Sequence, residues 1–154
     1  MRKKPSAVGF SVAVVCGLVA ITPGAGFVTP LASIIIGLVS GVVSNLTATW
    51  RAKTSIDDSL DVFACHGVNG TLGLVATGLF ATFIINPLGA NGLFYGNPGL
   101  VVSELIGIVA VAAYSFVGSF IILKALGMVS KLRVSPKEEE EGLDMAELGE
   151  SIDE

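Results

Sequence analysis

The chain has 154 residues, 52% of them hydrophobic and only 14% charged, against about 25% charged residues in an ordinary soluble domain, and its mean hydropathy is +0.78. That composition excludes a soluble globular domain and defines an all-α integral membrane protein with several spans. The formal net charge of -4 belongs to a tail, since most of the acids lie between Glu138 and Glu154, and it excludes nucleic acid as a partner.

The chain contains four apolar runs, separated by charged or breaker-rich connections. They predict helices over about 5–21, 30–50, 60–85 and 100–130, within a membrane region of residues 1–133 followed by an acidic cytoplasmic tail of residues 134–154. The first run, Pro5 to Ile21, follows the basic start Met1-Arg2-Lys3-Lys4 and is slightly short of the roughly 20 residues a spanning helix needs. A cleaved signal peptide is the alternative, but Thr22-Pro23-Gly24-Ala25-Gly26 reads better as a tight turn than as a cleavage site.

The second run begins with Pro30 and ends at Trp50, a residue that favours the membrane interface. Its Gly37 and Gly41 form a small-xxx-small pair that would let another backbone approach closely. The third run is terminated by Asn86-Pro87-Leu88-Gly89-Ala90-Asn91-Gly92, and Gly96-Asn97-Pro98-Gly99 prolongs the loop. The fourth is longer than a perpendicular crossing requires, so it must tilt or project beyond the bilayer. Glu104 near its outer end reads as a solvated interfacial carboxylate. Cys16 and Cys65 lie in apolar runs without metal or redox spacing and read as small packing residues.

The nine basic residues fall at Arg2 to Lys4, at Arg51 and Lys53, or from Lys124 onward, and the connections at 22–29 and 86–99 contain none. By the positive-inside rule both termini are cytoplasmic in a multi-pass cell-membrane protein, and those two loops face out. The third helix therefore starts at the cytoplasmic side with Asp57, Asp58 and Asp61, carboxylates suited to capping its first amides and complementing its dipole. Asp61, one turn deeper, is also placed to tie this helix to a neighbour.

His66, the single histidine, lies further in. Regular helical spacing puts Val62, Phe63, Asn69, Gly70 and Gly73 on its side. An ionisable group inside a span is expensive and points to function. A neutral imidazole, able to donate from one nitrogen and accept at the other, suits a small polar molecule crossing an apolar path. The alternative is that His66 and Asn69 hydrogen-bond across a helix interface, and residue chemistry alone leaves both open. No nucleophile with a base, phosphate loop, metal-ligand cluster or cofactor motif is visible, so the chain does not read as an enzyme.

The run Asp57-Asp58-Ser59-Leu60-Asp61-Val62-Phe63-Ala64-Cys65-His66-Gly67-Val68-Asn69-Gly70 resembles the signature around the second pore histidine of the ammonium transporter (Amt/Mep/Rh) family. Other stretches agree in order. Lys4-Pro5-Ser6 with Gly17 to Pro23 and Ala25-Gly26-Phe27-Val28 is similar to the family's eighth helix and the turn after it, and Ile35 to Gly41 to its ninth helix. Phe120 to Lys124 resembles the inner part of the long last helix. Leu132 to Ser135, Glu141-Gly142-Leu143-Asp144 and Gly149-Glu150 are similar to the cytoplasmic tail, with Leu148 where many members have histidine.

The resemblance implies four spans of an eleven-helix fold, two inverted five-helix repeats plus a tilted last helix, assembled as a homotrimer when complete; inverted repeats are common in transporters. It implies His66 as the second of two pore histidines, Val62 beside it in the conduit wall, Thr22 at the outer vestibule, and Asp61 as the acidic position opening the histidine helix. It implies ammonium or ammonia as the transported molecule, and a PII-type regulatory protein at the tail and cytoplasmic loops. The first pore histidine and the aromatic gate belong to amino-terminal helices that this sequence does not contain. The chain reads as the carboxy-terminal part of such a transporter, or alternatively as a stand-alone membrane interaction or decoy subunit that does not transport.

Overall fold

A computed structural model describes residues 7–149. Among these residues every regular element is helical. Helix α1, Ala7–Ile21, runs into a 3₁₀ turn at Thr22–Gly24, where Pro23 cannot donate to a continuing helix. Thr29 caps α2, Pro30–Arg51, by accepting from the Ala32 amide at 3.3 Å, and Pro30 takes the first helical position, where a missing N–H costs nothing.

Helix α3, Phe63–Phe80, opens as a π-helical turn over Phe63–Val68 and continues as regular α-helix over Asn69–Phe80. It is shorter at both ends than the 60–85 run predicts. Asp61 has a left-handed backbone, φ 53°, which an L-residue cannot propagate as a right-handed helix. At the other end Ala81 is extended, and the Thr82 amide donates to Phe27 O at 2.9 Å, so the chain is drawn into a loop layer with the segment after α1.

Helix α4, Pro98–Gly127, again places proline first and ends three residues before the predicted limit. Capped by Ser135, the short α5, Pro136–Glu141, is followed by a π-turn at Asp144–Leu148. Residues 5 and 6 of the first predicted span and the last tail residues lie outside the described residues.

Helices α2, α3 and α4 have 22, 18 and 30 residues and are apolar enough to cross a membrane. At 1.5 Å per residue their lengths are about 33, 27 and 45 Å, against a hydrocarbon core of about 30 Å. The described part of α1 has 15 residues, about 22 Å, so it falls short of a full crossing by itself.

The chain forms two compact units, one ending at Ala110 and the other beginning at Val111, within α4. In the first, α1, α2 and α3 pack through small residues, with Ala20, Val28, Ala32, Ile36 and Ala76 at the centre. The tightest approach is at Gly73, where an added Cβ would lie 2.3 Å from Ala20 O. Small residues are what allow helices to associate by dispersion in lipid. At Gly37 and Gly41 no described residue makes the close approach that the pair would allow: a Cβ at either would meet nothing within 4 Å. The outer face of α2, with Leu31, Ile34, Leu38, Val42 and Leu46, is exposed apolar surface. In the second unit Arg133 pairs with Glu139 at 3.0 Å, and Ser135 and Glu138 form a reciprocal capping box.

Candidate functional site

The candidate site is built where α2 ends and α3 begins. A helix opening without earlier turns leaves its first amides unpaired, and here Asp58 serves two of them, its carboxylate accepting from the Val62 and Phe63 amides at 2.8 Å each. The Phe63 amide is the main cause that holds the Asp58 carboxyl below its ordinary value, with the Val62 amide and the Arg51 charge adding to it against a desolvation penalty. Asp61 pairs with Arg51 Nη2 at 2.5 Å and, through its carbonyl, receives the Cys65 amide at 2.8 Å. Arg51 closes α2, so this pair ties the end of one span to the start of the next. Asp57 is exposed and adds to the negative field around Arg51. The indole of Trp50 stands against the Phe63 ring, centroids 6.4 Å apart.

His66 sits in the π-turn and is exposed, as are Val62, Phe63 and Gly67. Asn69 and Gly73, which regular helical spacing places beside His66, are buried instead. The physical reason is the π-turn: i→i+5 bonding widens the helix and turns each residue through less than the α-helical angle, so Asn69 rotates into the bundle while His66 faces out. Asn69 is fully buried, and its side-chain amide donates to Ala64 O at 2.8 Å and to Ser44 Oγ on α2 at 3.2 Å. Of the pair that could hydrogen-bond across a helix interface, Asn69 does so, to α2, while His66 is exposed among the described residues.

Thr22 is not brought to His66. It is exposed in the turn after α1, its hydroxyl donating to Leu18 O at 2.6 Å, and that turn abuts α3 further along, at Gly73 and Thr77. Cys16 and Cys65 are both buried free thiols, brought near each other where α1 packs against the π-turn. Their spacing in sequence carries no trace of this proximity. Glu104 is half-buried, with its Cγ close to Gly78 of α3. Among the described residues no group of three or more His, Cys, Asp or Glu side chains is placed to hold a metal ion.

An exposed imidazole, carried early in an apolar span and flanked by Val62 and Phe63, can exchange hydrogen bonds with a small polar molecule. The helices and this site define a polytopic α-helical membrane protein with one imidazole on a span.

Comparison with known proteins gives the family. The profile of the Ammonium Transporter Family matches residues 1–152. The ammonium transporter of Bacillus subtilis is 44% identical over 151 residues, covering 97% of this chain and 37% of that protein. Ammonium transporter Amt1 of Archaeoglobus fulgidus is 44% identical over 147 residues, covering 96% and 37%. The crystal structure of Saccharomyces cerevisiae Mep2 superposes with a TM-score of 0.80 at 33% identity, over 88% of this chain and 32% of that one. A structure described as a sensor Amt protein gives 0.79 at 31% identity, over 96% and 36%. The chain belongs to the ammonium transporter family and spans little more than a third of the length of the curated relatives it matches.

Proposed function

We propose that this chain supplies the carboxy-terminal helices of an ammonium transporter, with His66 lining the conduit for ammonia, Val62 beside it in the wall, and Thr22 at the outer vestibule. The observation that carries the reading is the family match over residues 1–152 together with the only histidine exposed on a membrane-spanning helix. An exposed ring on a span needs a cover other than lipid, and the remaining two thirds of the fold would supply it, whether encoded in the same polypeptide or a separate one. Asp57, Asp58 and Asp61 anchor the entrance of the histidine helix. Both termini face the cytoplasm of a cell membrane, the assembled form is a homotrimer, and the tail from residue 134 is the docking element for a PII-type regulatory protein.

The test is methylammonium uptake by cells lacking their own ammonium transporters. They carry this chain alone, or together with the amino-terminal two thirds of the Bacillus subtilis relative. Uptake in the combined cells that His66→Ala reduces supports the reading. No uptake in either, with both parts present in the membrane, overturns it and favours a non-transporting interaction subunit.

A further inference from the structure

The feature that transport leaves unexplained is a fully buried amide, Asn69, three residues after the histidine, in a turn with non-standard hydrogen bonding. A π-turn leaves carbonyls that the regular ladder does not serve. Asn69 serves two of them. Its backbone amide donates to His66 O, and its side-chain Nδ2 donates to Ala64 O at 2.8 Å. The second Nδ2 hydrogen goes to Ser44 Oγ at 3.2 Å, whose own hydroxyl donates to Ser40 O on α2.

The orientation of the amide is forced. Ala64 O is an acceptor only, so the nitrogen and not the oxygen must face it. The result is a directed relay from Asn69 through Ser44 to the α2 backbone, and bonds aligned head to tail strengthen one another in a low-dielectric interior. Among the described residues, Oδ1 of Asn69 and Oγ of Ser40 are buried without a hydrogen-bond partner. The amide is held through its nitrogen, by one carbonyl and one hydroxyl contact.

We infer that Asn69 is the positioning residue for His66: it holds the π-turn open at the carbonyls on either side of Cys65 and bolts that turn to α2, which fixes the direction in which the imidazole projects. Its role rests on the reading of His66 as a conduit residue, and its test does not.

Because His66 is the single histidine, the full chain labelled with ¹⁵N-histidine, purified without a histidine tag and reconstituted in lipid nanodiscs, gives one imidazole to observe. In the parent protein it is expected to give one narrow set of ring resonances and one rate of modification by diethylpyrocarbonate. Asn69→Leu, which keeps the branched outline at a larger volume and removes both donors, is expected to split or broaden the ring signals and change the modification rate severalfold. Helix content and the fluorescence of Trp50 should remain as in the parent. Ser44→Ala, which removes only the relay, should shift the ring signals in the same direction by less.

Ring signals in folded Asn69→Leu that superpose on the parent overturn the inference. If Asn69→Leu does not fold, Ser44→Ala decides in the same way: an unchanged ring overturns it and a shifted ring supports it. Failure of the transport reading would appear separately, as absent methylammonium uptake beside an intact response of His66 to these substitutions.

Discussion

Gly73→Ala is expected to unseat α1 from α3. A Cβ at this position would lie 2.3 Å from Ala20 O and 3.0 Å from both Ala20 C and Pro23 Cδ, whereas even a close C···O contact sits at about 3.3 Å. The shortfall is about 1 Å, and the obstructing atoms are backbone and a proline ring, so no side-chain rotation relieves it. Overpacking a closed interface costs about 1–3 kcal/mol, and the rigid neighbours put this case near 3. Alanine recovers about 1 kcal/mol of helix propensity over glycine, leaving a net loss of about 2 kcal/mol, close to thirtyfold in the folding equilibrium. The neighbouring Gly70 is the control, since a Cβ there meets nothing within 4 Å, and Gly70→Ala should be neutral or stabilising by up to about 1 kcal/mol. The assay is sodium dodecyl sulfate titration of the detergent-solubilised chain. It is followed by fluorescence of Trp50, the only tryptophan, and by maleimide labelling of the buried thiols Cys16 and Cys65. A Gly73→Ala chain that unfolds at the parent's midpoint, with thiols equally protected, refutes the reasoning.

Two further substitutions test the entrance of α3. Asp61→Ala and Asp61→Gly both remove the Arg51 ion pair, but only alanine must still adopt φ 53°, so alanine should be less stable than glycine by about 1 kcal/mol, and equal midpoints in the same titration would show that this backbone is unstrained. At Asp58 the folded carboxyl is held below its ordinary value, first by the Phe63 amide. Its stabilisation is therefore complete above the unfolded-state value and is lost as pH falls through the lowered folded-state value. Acidification into that range should loosen the start of α3, seen as a change in Trp50 fluorescence against Phe63, and Asp58→Asn should flatten this acid limb; an unaltered acid limb in the variant would refute the assignment.

Hydropathy and breakers make much of this fold legible. Thr29-Pro30 marks the start of α2 because a hydroxyl cap followed by proline satisfies two requirements of a helix opening at once, and Pro98 marks the start of α4 in the same way. The ends of α3 are less legible. Leu60 and Val62, on either side of Asp61, and the stretch Ala81 to Ile85 belong to a run apolar enough for a helix, and what removes them from it is a backbone state at Asp61 and a loop hydrogen bond from Thr82 to Phe27, neither of which has a hydropathy signature. The Cys16–Cys65 proximity and the Gly73–Ala20 approach join positions 49 and 53 residues apart, and spacing rules within one helix do not reach across two.

The hidden feature with the largest consequence is the π-turn. A wheel drawn at 100° per residue puts Asn69 on the histidine's face, and this leaves His66 with two competing roles, a conduit group or half of a packing pair. One turn of i→i+5 bonding gives the two side chains different surroundings: the amide rotates inward to Ser44 and Ala64 O, and the ring stays exposed among the described residues. A signal for this existed in the residue types. A primary amide inside an apolar span must find partners, and serines at positions 40 and 44, one helical turn apart on α2, are what an inward-facing Asn69 requires. Pairing polar residues between predicted spans, rather than along one, would have placed the amide in the interface with α2.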